Sequence, residues 1–134
     1  MRSAYLILLS FLFFACLGCG SKYPESGDAL EAGREFIDGC LKGDFNRAAF
    51  YMISDEENTK DLQQLKNTYN QKTDEQKQNF YQASIFVNED AVVNDTVHVI
   101  NYMNSYDKIA RKVKVVLRKN VWQVDFKYTF NGNL

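Results

Sequence analysis

His98 is the only histidine in the chain, so any acid, base or metal chemistry that needs an imidazole must use it. Alternating apolar residues around it predict a strand, and a lone histidine on a strand is usually structural. Whether its side chain points into the core depends on how this strand is paired with the next one. If partners on the two strands are residues whose numbers sum to 211, His98 faces inward beside Val113, on the same side of its strand as Ile100 and Tyr102. A sum of 212 instead turns inward the alternate set of residues, Val97, Val99 and Met103.

Three aspartates are candidates for acid–base chemistry, and none is clearly aimed into a core. Asp125 lies on the last predicted strand, Asp107 in a predicted turn, and Asp38 on the polar side of the first predicted helix. The sequence contains no Gly-rich phosphate loop, nucleophile elbow or metal-binding histidine pair. We therefore predict no catalytic residue, with His98 as the one candidate if catalysis occurs, and no metal or cofactor.

The three cysteines form neither a zinc motif nor a disulfide framework. Cys16 and Cys19 have the spacing of a CxxC redox motif, but they end an apolar segment that has no fold to support that chemistry. Cys40 lies on the apolar side of a predicted helix, where it is interpreted as a small buried hydrophobe. The first two cysteines therefore belong to an N-terminal leader.

The N-terminal residues have the pattern of an export signal. Arg2 precedes the apolar run AYLILLSFLFFA over residues 4–15, which is too short to span a bilayer comfortably. The next six residues, CLGCGS, resemble the lipobox of bacterial lipoproteins, in which small residues precede a cysteine that becomes the acylated N-terminus. The resemblance implies a signal peptide over residues 1–18 and a lipid anchor directly after it.

Cys19 is the predicted lipid-attachment residue, and Cys16 is the alternative. Gly18 before Cys19 and the polar residues after it suit a cleavage site better than the bulky Phe14 close to Cys16. An ordinary secretory signal, cleaved after Ala15 or Gly18, would instead leave a soluble periplasmic protein with a free thiol.

Lipidation would place the protein in the bacterial cell envelope, with a membrane as its first partner. Several acyl chains on one cysteine hold permanently, because each buried methylene contributes about 0.8 kcal/mol. We expect the outer membrane or the cell surface rather than the inner membrane. Residues 19–27 contain Pro24 and two glycines, the composition of a short flexible tether.

Length and composition indicate one globular domain over residues 28–134. The chain is 46% hydrophobic and 14% aromatic, which supports a packed interior. It carries 16 Lys and Arg against 17 Asp and Glu, so loss of Arg2 with the leader leaves 15 against 17, a net charge of −2. A protein that follows a phosphate backbone normally has a basic excess, so we exclude nucleic acid as a partner.

The spacing of apolar residues predicts helices in the first half of the domain. One helix covers residues 28–42, and a second, short helix follows the Gly43-Asp44 corner. Capping-box signatures that begin at Ser54 and Thr73 predict a third helix and then a final helical turn or two.

After these helices the pattern changes to that of an antiparallel sheet, with four strands over residues 85–89, 96–103, 109–118 and 121–130. A two-residue turn at Lys119-Asn120 pairs residues whose numbers sum to 239. On one face every such pair is apolar: Leu117 with Trp122, Val115 with Val124, Val113 with Phe126, and Ile109 with Phe130. On the other face Lys114 lies opposite Asp125, which predicts a surface ion pair.

This order of elements predicts an α+β fold, in which N-terminal helices pack on a curved four-stranded antiparallel sheet. The element order, the helix corner GDFNRA (residues 43–48) and the last strand VWQVDF (residues 121–126) resemble small bacterial lipoproteins of unknown function in the nuclear transport factor 2-like, cystatin-like superfamily. The resemblance spans about residues 28–134 and implies a cone-shaped fold. The resemblance identifies no catalytic residue in this chain.

Aromatic side chains would either fill this cone or line a pocket in it, and the candidates are Phe36, Trp122, Phe126 and Tyr128. Two functions follow. The first is a non-catalytic module that binds an unknown small molecule or protein, with possible homodimerisation through the exposed sheet face. The second is a small isomerase- or dehydratase-type enzyme with its site inside the cone. A carboxylate beside His98 in a cavity of about 300 Å³ or more would favour the enzyme.

Overall fold

The structure is a computed structural model that describes residues 22–130. The predicted signal peptide over residues 1–18 and both candidate anchor residues, Cys19 and Cys16, lie outside the described residues. Helices come first and strands follow, as predicted. The elements are α1 (Ala29–Lys42), α2 (Phe45–Phe50), α3 (Glu56–Asn70), α4 (Asp74–Gln82), β1 (Ile85–Asn94), β2 (Val97–Asn104), β3 (Arg111–Arg118), β4 (Val121–Asp125) and α5 (Lys127–Phe130).

The first two helices meet at the predicted Gly-Asp corner. The Asp28 carboxylate caps α1 by accepting from the Glu31 N–H at 2.7 Å. At the other end, Gly43 has a φ of 72°, the left-handed conformation in which glycine has no steric penalty. Asp44 then caps α2 by accepting from the Arg47 N–H at 3.0 Å.

The later helices begin close to the predicted positions. The cap of α3 is Asp55, which accepts from the Asn58 N–H at 2.8 Å, so the capping box expected at Ser54 is wrong by one residue. The signature at Thr73 is confirmed as a capping box with Gln76. Its helix, α4, is 9 residues long and so exceeds the predicted turn or two.

The strands form one four-stranded antiparallel sheet in the order β1-β2-β3-β4. The β3–β4 register is the predicted one from Arg118↔Val121 to Lys114↔Asp125. The turn between them has positive φ at both central residues, 50° at Lys119 and 62° at Asn120, as expected for a type I′ hairpin. β1 continues to Asn94, five residues beyond its predicted end.

The last strand is shorter than predicted, because β4 ends at Asp125 and the chain turns into α5. A side chain explains this end: the Asn58 Oδ1 accepts from the Lys127 N–H at 2.8 Å, so that amide is not available to continue the ladder. The predicted pairs of Val113 with Phe126 and of Ile109 with Phe130 are therefore wrong.

Both registers considered for β2 and β3 are also wrong, since the paired residue numbers sum to 213. The observed sum has the same parity as 211, so His98, Ile100 and Tyr102 do share the face that carries Val113. His98 lies opposite Val115, whereas a sum of 211 would have paired it with Val113.

Helix α1 packs across the face of the sheet that carries Ile100, which we call the core face. The buried side chains of this layer come from α1 and from the three later strands, and include Phe36, Ile37, Val113, Val115, Val124 and Phe126. The outer edge of β4 is covered, because the Val124 N–H donates to the Tyr51 carbonyl at 2.8 Å and the Ile53 N–H donates to the Val124 carbonyl at 2.9 Å. Among residues 22–130, no helix combines the length and apolarity needed to cross a bilayer.

The opposite, outer face of the sheet carries Val97 next to Val116, and both are partly exposed. This is the face on which homodimerisation is expected. Dimerisation stays a prediction, which light scattering would test.

Candidate functional site

A cavity of about 190 Å³ lies between the C-terminal part of α1, the C-terminal part of α3 and the core face of the sheet. We call it the Tyr102 cavity. Its lining is mostly apolar and consists of Phe36, Ile37, Cys40, Leu41, Leu65, Thr68, Tyr69, Lys72, Phe80, Tyr102, Asn104, Arg111 and Phe126. Helical spacing on α1 and α3 puts one side of each helix toward it.

The apolar wall is built around Phe36 and Phe126, whose ring centroids are 5.1 Å apart at a tilt of 54°. Both side chains are almost completely buried. Cys40 of α1 stands beside them as a free thiol. Burial raises the pKa of this thiol far above its ordinary value. Cys40 therefore stays protonated near neutral pH and contributes apolar surface rather than a nucleophile.

The polar end of the cavity is organised by the loop between β2 and β3. The buried Asn104 side chain accepts from the Tyr106 and Asp107 N–H groups at 2.9 and 3.0 Å and donates to the Asp107 carboxylate at 2.9 Å. Arg111 forms a bidentate pair with the same carboxylate, at 3.0 and 2.6 Å. The guanidinium is thereby fixed at the cavity with its charge compensated.

The pKa of Asp107 reflects this surrounding. Burial opposes ionisation of the carboxyl group, but hydrogen bonds from the Arg111 guanidinium and the Ile109 N–H outweigh it. The pKa of Asp107 therefore lies below its usual range. The loop is held by an ionised aspartate at neutral pH.

Tyr102 supplies a free polar group of the cavity. Its side chain is 6% exposed, and its hydroxyl makes no hydrogen bond among residues 22–130. Because no buried side-chain polar atom of these residues lacks a partner, this hydroxyl is accessible to solvent. Burial raises the pKa of Tyr102 well above the ordinary tyrosine value, so the group is a neutral phenol at physiological pH. A phenol can donate one hydrogen bond and accept another. It is available to a ligand in the cavity.

Aromatic residues and one lysine form the rim. The Lys72 Nζ lies 5.0 Å from the ring centroid of Phe80, which in turn packs edge-on against Tyr106 at 4.8 Å. On the other side, Tyr69 packs edge-on against Phe45 at 5.5 Å. Lys72 thus places one positive charge at the entrance of the cavity.

The structure places His98 outside this cavity. Its Nδ1 lies 2.8 Å from the Asp90 Oδ1, and its ring packs edge-on against Trp122 at 5.2 Å. Asp90 comes from the part of β1 that the sequence pattern missed. A carboxylate therefore does accompany His98, but the pair lines no cavity described here.

The other candidate carboxylates are ion-paired. Asp125 faces away from the core, as predicted, with Lys114 at 3.7 Å and Lys127 at 3.6 Å. Asp38 accepts from Arg47 at 2.5 Å and lies 3.0 Å from Lys42. None of these groups reaches the Tyr102 cavity.

The four aromatic residues expected at a pocket divide between different places. Phe36 and Phe126 line the Tyr102 cavity, whereas Trp122 lines a separate open groove. Tyr128 lines neither of these two cavities and lies on α5 rather than on a continuing strand. Its half-exposed ring lies under the Lys114 Nζ at 5.1 Å. Tyr102, Asn104 and Arg111 were not singled out as site residues, although the apolar-to-polar change at the end of β2 marks that position.

Within residues 22–130, no three His, Cys, Asp or Glu side chains converge where they could hold a metal ion. No protein-family model, no curated protein and no solved structure matches this chain. The site is therefore interpreted from its own geometry.

We predict that Asp107→Asn lowers the free energy of unfolding at pH 7 by about 1–3 kcal/mol, the usual cost of breaking a hydrogen bond to a charged group. Because the folded-state pKa of Asp107 is depressed, its contribution is present above the unfolded pKa of about 3.9 and is lost as pH falls through the folded value. The difference between wild type and variant should thus shrink from pH 7 toward pH 2. Urea unfolding at several pH values measures it, with the exposed Asp95→Asn as control; a difference independent of pH would contradict the assignment.

Proposed function

We propose that the protein is a lipid-anchored binding module of the bacterial cell envelope, whose domain holds a small, mainly apolar ligand in the Tyr102 cavity without transforming it. The observation that carries this proposal is the pairing of apolar walls with the Tyr102 hydroxyl, which makes no hydrogen bond among the described residues. The described lining contains no carboxylate or histidine that would act as an acid or base. The cavity is suited to retention rather than to proton transfer.

The size of the ligand follows from the volume. The cavity is about 190 Å³, smaller than the roughly 300–1,000 Å³ of sites for drug-sized molecules. A dry apolar cavity of about 150 Å³ accommodates benzene. The best fit is therefore one ring, a short branched alkyl group, or the apolar end of a longer molecule that extends past Lys72.

The polarity of the ligand follows from the charges. Arg111 is fully paired with Asp107, so it offers little net charge to a bound molecule. The neutral Tyr102 phenol is a polar group of the lining that has no partner among residues 22–130. We infer a neutral hydroxyl or carbonyl at the inner end of the ligand, with an anionic group tolerated only at the rim beside Lys72.

The fold supports a more specific proposal, that the domain belongs to the nuclear transport factor 2-like, cystatin-like group. Its support is the order of elements: helices first, then a four-stranded antiparallel meander with α1 packed on one face. The resemblance to that group implies a site inside the cone formed by the helices and the sheet. The proposal agrees with the position of the Tyr102 cavity.

One specific observation favours the enzyme hypothesis, namely the 2.8 Å contact between His98 and Asp90. An aspartate on Nδ1 orients an imidazole so that Nε2 can act as a base. This pair lies outside the Tyr102 cavity, so a reaction at His98 would need a substrate bound elsewhere.

Binding of benzyl alcohol, one ring with one hydroxyl, tests the cavity proposal. Tyr102→Phe should weaken binding about tenfold, the equivalent of a lost hydrogen bond of about 1.4 kcal/mol. It should leave the binding of toluene unchanged. Leu65→Trp should abolish both by filling the cavity, and His98→Gln should change neither. Ligand-detected NMR measures these affinities; loss of binding in His98→Gln but not in Leu65→Trp would move the site to the His98–Asp90 pair.

The anchor is tested by metabolic labelling with palmitate. We expect Cys19→Ala to lose the label and to leave the membrane fraction, whereas Cys16→Ala keeps both. Label that persists in Cys19→Ala and disappears in Cys16→Ala would place the anchor at Cys16.

A further inference from the structure

The residues that precede α1 lie against the domain. The Tyr23 hydroxyl donates to the Asp44 carboxylate at 3.0 Å, and its ring lies 5.7 Å from that of Phe50. The Tyr51 hydroxyl donates to the Pro24 carbonyl at 2.6 Å. Ser26 donates to the Trp122 carbonyl at 3.4 Å. We call residues 23–26 the strap. It joins the start of the domain to both α2 and the β3–β4 hairpin.

The strap leaves little chain between the domain and the proposed anchor. Four residue steps separate Cys19 from Tyr23, which span at most about 14 Å at full extension. The polar headgroup layer on one side of a bilayer is itself about 5–7 Å deep. With Cys19 acylated, the surface around Tyr23 is therefore held at the headgroups.

The surface beside the strap has the composition of a membrane-facing surface. An open groove of about 410 Å³ is lined there by the partly exposed Phe50 and Trp122, together with Arg118 and Lys119 of the β3–β4 hairpin. The buried Tyr51 also lines it. Both cations are exposed, and neither forms an ion pair with a described residue. Glu25 is the one acidic residue in the lining. Aromatic and basic side chains together are typical of surfaces that contact lipid headgroups.

We infer that this groove face, defined by Phe50, Arg118, Lys119 and Trp122, rests on the phosphate-bearing headgroups of the membrane that holds the anchor. The inference rests on the proposed lipidation of Cys19. The strap fixes the orientation, because it fastens the chain at two places before α1 begins. The hairpin cations then face lipid phosphates, and the β2–β3 loop lies at the other end of β3. That strand has 8 residues, a length of about 25 Å.

Trp122 is the only tryptophan, so its fluorescence reports on this face directly. The lipidated mature protein, which begins at Cys19, is reconstituted into vesicles that contain headgroup spin-labelled phospholipid. We expect quenching of Trp122. The matched reporter is Trp122→Phe with Tyr106→Trp, which places the single tryptophan on the exposed β2–β3 loop and should escape quenching.

The strap is tested in the same vesicles. Tyr23→Ala should reduce the quenching of Trp122 while the protein stays vesicle-bound. Tyr81→Ala, which removes an exposed tyrosine elsewhere, should not. Arg118→Gln with Lys119→Gln should also reduce quenching.

The outcomes separate the two proposals. If wild-type protein floats with the vesicles but both reporters are quenched equally, or only the one at position 106 is quenched, the orientation is wrong and the anchor stands. If wild type and Cys19→Ala both fail to associate with vesicles, the anchor fails and the orientation fails with it.

Discussion

Helix α1 approaches the sheet so closely at Gly33 that a Cβ there would displace the Ile100 side chain. A Cβ at this position would lie 2.5 Å from the Ile100 Cδ1, a distance that requires one of the two to move. The helix backbone is thus in direct contact with the core face. One turn later, Phe36 and Ile37 extend along that face and become almost completely buried. This contact determines the depth at which every later residue of α1 sits.

A second close contact continues the arrangement on another side of the same helix. A Cβ at Gly39 would lie 2.9 Å from the Ala48 N, so α2 packs directly on α1. Helix α2 and the residues after it then cover the outer edge of β4 and receive the strap through Tyr51. Near the end of α1, the residue beside Phe126 is Cys40. Because this side chain is small, it does not fill the space between α1 and the sheet, and the Tyr102 cavity results. The cavity and the strap therefore both depend on the position of one helix.

Local patterns predicted much of this fold because local forces decide it. The Gly43-Asp44 corner, the cap at Thr73 and the hairpin turn at Lys119-Asn120 follow from the hydrogen bonds of a few neighbouring residues. The prediction was wrong where distant residues intervene. β4 ends early because Asn58, nearly seventy residues away in sequence, binds the Lys127 N–H. The register of β2 and β3 is set by a loop held by Asn104 and Asp107, which turn propensities do not reveal. The Tyr102 cavity combines residues from three helices and three strands or their flanks, so no single sequence motif predicts it.

The depth of α1 is the central claim, and a double-mutant cycle tests it most directly. Gly33→Ala should lower the free energy of unfolding by about 1–3 kcal/mol through overpacking against Ile100. Ile100→Val removes the Cδ1 atom in question, so in that background Gly33→Ala should be neutral or raise stability by up to about 1 kcal/mol, the helix propensity of alanine over glycine. Denaturant unfolding of the four proteins measures the coupling. An equal effect of Gly33→Ala in both backgrounds would contradict direct contact between α1 and the sheet.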